Sequence, residues 1–281
     1  MGTGTPILDA QRPATTSLLI DHAGVNLLVD VGRGTTMRLL EHGLTPTDLD
    51  AIFVTHHHYD HICDLGEVML TGWHNGRTAP LAIYGPPRTA QIVDALLTQV
   101  FAQDIMFSHV LAADTPDIRS IMQVTEIAPE NVADWQLAGT TWQMTAGLVN
   151  HGNSLGLPVS QWCCLGYKFK TADTTLVIAG DAVANDDLIT FSQRADALVI
   201  SCYLSEQEVR DMNAEQLSEH VIASSHQVAR LATEARVNKL ILTHFRTKSA
   251  KLMAALAEEV AAVFSGEVIL AEESMGISLE A

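Results

Sequence analysis

With 281 residues, 47% of them hydrophobic and 17% charged, the chain can bury a sizeable core, as one large domain or two small ones. No apolar run approaches the roughly 20 residues that span a bilayer, and no basic segment followed by an apolar one opens the chain, so neither a membrane span nor a secretory signal is expected. Sixteen basic residues against thirty-three acidic ones leave a net charge of −17, and no Lys/Arg cluster interrupts it, which argues against a protein that grips phosphate backbones.

The opening hexapeptide, MGTGTP, is a polar glycine turn that either offers backbone N–H groups to an anion or simply joins two strands. Apolar, β-rich runs at 16–20 and 25–31 read as a hairpin, and a helix over 35–42 is ended by Gly43. Asp30, between hairpin and helix, is a candidate partner for a metal-binding histidine. Residues 50–54, DAIFV, read as a buried strand that runs straight into THHHYDH at 55–61. His56, His58 and His61 with Asp60 suit borderline transition metals, zinc above all. Positions i and i+2 of an extended segment point the same way, so His56 and His58 can grip one ion while Asp60 and His61 face a second. A histidine tract can also bind metal adventitiously, but that leaves the Asp60–His61 pair unexplained. Cys63 lies close by, yet a small buried cysteine is the commoner arrangement.

A helix is expected over 65–73, then a loop through His74, and a strand over 81–84 stopped by Gly85-Pro86-Pro87. Residues 88–103 carry apolar side chains at the spacing of an amphipathic helix, whereas 104–120 read as irregular and acidic. Strands follow over 121–127 and 140–146, the second leading to His151. After a Gly/Pro/Ser loop at 153–162, a second hairpin pairs 165–169 with 174–179 and ends on Gly180-Asp181. A helix over 185–192, a strand over 195–201 and a helix capped by Ser225 come next. A strand over 239–243 ends on His244, and a helix over 248–264 precedes strands at 267–271 and 275–279. No repeat or linker divides the chain, so a single domain, 1–281, is expected. Cys63, Cys163, Cys164 and Cys202 lack framework spacing and read as reduced, in a cytoplasmic protein.

His-x-His-x-Asp-His behind a strand resembles the metallo-β-lactamase superfamily, and the resemblance spans nearly the whole chain. It implies an α/β fold, a four-layer αββα sandwich, with the site on loops that leave strand ends. It also implies a lone histidine, a bridging aspartate and a last histidine downstream, for which His151, Asp181 and His244 stand in the expected order. The implied centre is two divalent ions held by His56, His58, Asp60, His61, His151, Asp181 and His244. Zn2+ is the first expectation, and such donors also accept Mn2+, Fe2+ or Co2+ according to availability. GTGTP at the start, TGWHNGR at 71–77, YGP at 84–86, GYK at 166–168 and LTHF at 242–245 resemble the ribonuclease Z and arylsulfatase-like group.

The activity this implies is hydrolysis. The ions would share a water and lower its pKa toward neutrality, and Asp60 would orient it for attack on phosphorus, sulfur or a carbonyl carbon. His220, expected in a loop and preferred over His226, would assist the leaving oxygen. A small phosphodiester or sulfate ester is the expected substrate, with a lactone or β-lactam-like amide as the alternative. Ribonuclease Z-type tRNA processing is disfavoured by the net charge, by the lack of a basic arm, and by Ile200-Ser201-Cys202-Tyr203 standing where that enzyme has a His-Glu-Ala-type motif. No nucleic-acid or membrane partner is expected, and a homodimer is left open. Trp73 and His74, the Met106–Phe107 region and the 155–162 loop with Trp162 are the expected pocket walls. A non-enzymatic binding or sensing module is opposed by the full ligand set. A flavodiiron-type redox centre is opposed by His58, where that branch tends to carry an acidic ligand.

Overall fold

The computed structural model describes residues 2–112 and 115–279. The chain forms two compact units, the first of Met1–Gly2 and Ala14–Ala128, the second of Thr3–Pro13 and Pro129–Ala281.

In the first unit, β1 (Leu18–His22) and β2 (Val25–Val29) make the expected antiparallel hairpin. α1 (Thr35–Glu41) follows, and β3 (Ala51–Phe53) pairs with β2 in parallel. The metal motif leaves β3 through a single helical turn, α2 (Tyr59–Ile62), and α3 (Leu65–His74) comes next. β4 (Leu81–Gly85), α4 (Thr89–Ala95), α5 (Ala102–Leu111), α6 (Ile118–Ile121) and β5 (Met122–Glu126) complete a five-stranded sheet in sequence order. The register aligns Leu19, Leu28, Ile52, Ile83 and Val124 in one row across it. That row joins Leu39, Val68, Met69, Trp73 and Val93 of the helices in a single core. Each fully buried Leu, Ile or Val contributes about 1.5–3 kcal/mol. Strands buried on both faces read as unbroken apolar runs, which is why AIFV was legible.

Two expectations fail here. The helix expected over 88–103 stops at Ala95, continues as one wide π turn at Leu96–Val100, and restarts as α5. α5 fills much of the span expected to be irregular. It buries only Ile105 and leaves Met106, Phe107, Val110 and Leu111 exposed, so it has no one-sided stripe to read.

In the second unit, β6 (Gln136–Ala138), β7 (Gln143–Leu148), β8 (Leu165–Lys170) and β9 (Thr175–Gly180) run antiparallel in sequence. β10 (Ala197–Ser201), β11 (Lys239–Thr243) and β12 (Glu267–Leu270) then add to β9 in parallel, giving seven strands. Crossovers are made by α7 (Asp186–Phe191), α8 (Glu206–Met212), α9 (Glu215–His220), α10 (Ser225–Ala235) and α11 (Ala250–Ala261). Two rows, Val177-Leu198-Leu240-Val268 and Ile200-Leu242-Leu270, pack on Val228, Leu231, Leu256 and Val260 of α10 and α11. α8 and α9 went unforeseen because each is under two turns and mostly polar. The cap of α10 is Ser224, not Ser225, and 275–279 forms no strand. No helix among the described residues is long and apolar enough to cross a membrane.

Every candidate ligand except His151 follows the carboxyl end of a parallel strand: His56–His61 after β3, Asp181 after β9, His244 after β11. In open sheets with parallel strands, ligands bind outside those ends.

Candidate metal centre

In the first unit, Asp30 organises the histidines. It is 1% exposed and sits just past β2 in the left-handed region, φ 60°. Its Oδ1 accepts the Thr55 backbone N–H at 2.8 Å, and its Oδ2 accepts the Thr55 hydroxyl at 2.8 Å and His61 Nδ1–H at 2.7 Å. A carboxylate only accepts, so His61 carries its proton on Nδ1 and presents Nε2 as a lone pair. The Thr55 hydroxyl, committed to Asp30, accepts in turn from His56 Nδ1 at 3.0 Å. His56 Nε2 then lies 3.0 Å from His58 Nδ1, and the His56 and His61 rings are 4.1 Å apart. Two imidazole nitrogens on one tetrahedral zinc, each about 2.0–2.1 Å from it, stand about 3.4 Å apart. The His56–His58 approach fits that arrangement. Asp60, 1% exposed, sets Oδ2 3.8 Å from His61 Nε2.

The fourth histidine, His57, turns the other way. Its Nε2 meets Thr89 Oγ1 at 2.9 Å. Burial, helped by the Arg88 cation, pushes its pKa down to about 4, so this imidazole is neutral at pH 7.

In the second unit, Asp181 is the focus. Gly180, at φ 62°, turns the chain out of β9. Ser201, at the end of neighbouring β10, donates to Asp181 Oδ1 at 2.5 Å. Asp181 Oδ2 is then 3.5 Å from His244 Nε2 and 3.8 Å from His151 Nε2. His151 Nδ1–H donates to the Val221 carbonyl at 2.6 Å, which makes Nε2 the lone-pair nitrogen. His244 adopts φ 58° directly after β11. A non-glycine residue held there costs about 1–3 kcal/mol, and such strain gathers at functional sites.

The remaining candidates are placed as follows. His220 is the half-buried last residue of α9, not a loop residue. Its carbonyl accepts the Gly152 N–H at 2.9 Å and its Nδ1 lies 3.1 Å from Ser154 Oγ, so it is tied to the loop that bears His151. His226 is exposed in the first turn of α10. Trp162 donates its indole N–H to the His151 carbonyl at 2.7 Å. Trp73 and His74 belong to α3, not to a loop. Trp73 is 2% exposed, bonds the Pro116 carbonyl at 2.8 Å, and lines a cleft with Arg77, Leu111 and Pro116 that includes no candidate ligand. His74 pairs with Asp104 at 2.8 Å. Cys63 is exposed rather than buried. Ser201, Thr55 and the Val221 carbonyl were missed, because a serine, a threonine or a carbonyl carries no signal until its neighbour is known.

Residues 1–262 match the family described as anti-Pycsar protein Apyc1. The chain belongs to this family. It is also 32% identical over 252 residues to a ribonuclease Z of Mycobacterium sp. (strain KMS), covering 87% of this chain and 82% of that protein. The metallo-β-lactamase fold protein YhfI from Bacillus subtilis is 26% identical with a TM-score of 0.69, over 97% of this chain and 94% of that one. The short form of human tRNase Z is 20% identical with a TM-score of 0.71, over 100% of this chain and 98% of that one. The metallo-β-lactamase fold expected from the sequence is therefore shown, with two mixed sheets flanked by helices, and the chain is a metal-dependent hydrolase of the ribonuclease Z branch of that superfamily.

These relatives correct one expectation. A chain this similar to a ribonuclease Z cannot have nucleic acid excluded as a partner by its net charge of −17. Net charge sums the whole surface, whereas a phosphodiester meets a local field, and bound divalent ions are the largest local charges in such a site.

Proposed function

We propose that this family member is a dinuclear metal phosphodiesterase acting on nucleotide phosphodiesters. His56, His58 and His151 would hold one ion, Asp60, His61 and His244 the other, and Asp181 would bridge them. The observation that carries this reading is the Asp181 carboxylate, with one oxygen fixed by Ser201 and the other 3.5 Å and 3.8 Å from the Nε2 atoms of two histidines. A carboxylate oxygen shared by two imidazole donors is what a bridging ligand requires. Zinc suits these donors, and manganese, iron or cobalt would also be accepted. When bound, paired divalent ions lower the pKa of a water toward neutrality and polarise the phosphoryl oxygens.

The chain's own residues do the rest. Asp60 accepts a hydrogen bond from the attacking water and aims it. Asp30 and Thr55 keep the Nδ1 protons of His61 and His56 in place, so each ring offers Nε2. His220, held by Gly152 and Ser154, donates a proton to the departing oxygen. Trp162 braces the His151 loop, and exposed Leu155 and Leu157 supply apolar wall beside it.

Phosphodiesters are preferred to sulfate esters and lactones because a relative 32% identical over 252 residues carries the name ribonuclease Z. The test is metal analysis followed by a panel: bis(4-nitrophenyl) phosphate, a cyclic ribonucleotide, a tRNA precursor, 4-nitrophenyl sulfate, a lactone and a β-lactam. Two ions per chain with turnover confined to the phosphodiesters supports the reading. One ion at saturation, or faster turnover of sulfate or lactone, sinks it. The second reading, tRNA 3′ processing, rests on the same relatives, and cleavage of the precursor in preference to the small phosphodiesters would select it.

A further inference from the structure

The second unit contains a buried ion pair that the reaction scheme leaves unused. Lys248 and Glu208 are 3% and 6% exposed. The Lys248 ammonium donates to the Glu208 carboxylate and, at 2.9 Å, to the Tyr203 backbone carbonyl. Such a pair adds little net stability, since desolvating both charges offsets most of their attraction. Its position suggests what it does.

β10 and β11 lie side by side with Ser201 opposite Thr243. Beyond them the chains diverge. One runs through Cys202, Tyr203 and Leu204 to Ser205, which caps α8; the other runs through His244 and Phe245 to Ser249, which caps α11. The last backbone bond between them is Cys202 N–H to the Thr243 carbonyl at 2.8 Å. His244, at φ 58°, lies past that ladder, and the Phe245 N–H that follows it donates to the Thr3 carbonyl at 3.2 Å. Lys248 closes the gap. Its stem leaves the His244 loop, its ammonium takes the Tyr203 carbonyl two residues beyond Ser201, and Glu208 anchors that ammonium from the first turns of α8. Glu208 is itself fixed, accepting the Ser205 N–H at 2.9 Å. The Tyr203 and His244 rings stand 6.3 Å apart across the same gap.

We infer that Lys248 is a positioning residue for the metal centre, binding the loop after β11 to the loop after β10 so that His244 and Asp181 keep their mutual geometry. This rests on the metal-centre reading above. Glu208 serves as the counter-charge that lets Lys248 be buried.

The test compares three proteins, each stripped of metal and titrated with zinc against a chromophoric chelator. Glu208→Gln keeps an oxygen for Ser205 and Lys248 but strips the counter-charge, so its metal-free Tm is expected to fall while, below that Tm, it binds zinc within about threefold of wild type. Glu208→Gln/Lys248→Met removes both charges together, so its metal-free Tm is expected within about 5 °C of wild type. Its affinity for the weaker-held ion is expected to fall tenfold or more. A purely structural pair would move Tm and affinity together, or neither. Wild-type zinc affinity in the double variant overturns the inference while leaving the metal centre intact; a wild type that takes up no zinc overturns both. Backbone hydrogen exchange on the wild type gives a readout that needs no variant to fold. Zinc is expected to slow exchange in 202–208 and 244–248 together, and unchanged exchange in either loop also overturns the inference.

Discussion

Replacing Asp30 with asparagine exchanges one carboxylate oxygen for an NH2 group and tests how the first-unit histidines are set. The wild-type carboxylate receives three donors, from the Thr55 backbone, the Thr55 hydroxyl and His61 Nδ1, at 2.8, 2.8 and 2.7 Å. Asparagine offers one acceptor and one NH2 group. If the NH2 faces the Thr55 backbone, two donors collide and neither can change. If it takes the Oδ2 place, it faces a hydroxyl that can rotate and an imidazole that can move its proton. The second orientation costs less, so His61 shifts its proton to Nε2 and turns a lone pair toward the amide. That removes Nε2 as a metal donor. Changes to groups that orient ligands typically cost 10–100-fold in metal affinity, which is about 1.4–2.8 kcal/mol. Asp30→Asn should therefore lose about that factor for one ion, with a smaller loss for the other. Chelator competition on metal-free protein measures both. In the metal-free protein, Asp30→Asn also removes a buried charge, so Tm should change far less than affinity does. An Asp30→Asn protein that binds both ions within about twofold of wild type would refute the tautomer argument.

Four further outcomes are expected. Asp60→Asn should lose more kcat than His220→Ala, because the proposed role of Asp60 serves both the ion and the water, while removing a general acid costs about 10²–10⁴-fold; equal losses at full metal content would overturn that ordering. Ser201→Ala frees Asp181 Oδ1 from its 2.5 Å bond and should weaken metal binding about tenfold, read by the same competition assay. His57 has its pKa lowered from 6.5 to about 4 by burial and Arg88, so the unfolded chain binds the extra proton first. Its contribution is complete above pH 6.5 and is lost as pH falls toward 4, up to about 3 kcal/mol; denaturation of metal-free His57→Gln should show a correspondingly flatter slope over that window. Trp162→Phe keeps an aromatic ring, though a smaller one, but drops the N–H that meets the His151 carbonyl at 2.7 Å, and should raise KM for the phosphodiester panel severalfold with metal content unchanged.

The metal motif was legible because its information is local. His56, His58, Asp60 and His61 lie on one strand end and one helical turn, and an apolar strand before them states where they sit. Asp181 and His244 were legible for a related reason, each standing at the end of an apolar run that could only be a buried strand. What the sequence alone could not determine was which groups hold these residues in place. Ser201 reaches Asp181 only because β9 and β10 pair in parallel with a register shift between Val199 and Ile200. Asp30 reaches His61 because β2 and β3 are neighbours in the sheet. Lys248 meets Tyr203 and Glu208 across 45 and 40 residues of chain. The helical setting of His220 was missed because α9 is one polar turn and a half, too short to show a period. Charge misled for the opposite reason. It was read as a total, whereas a substrate answers to the field at one place. Candidate ligands follow from residue type and short-range spacing, which a sequence displays; tautomer, orientation and local field depend on strand register and loop packing, which arise only when distant segments meet.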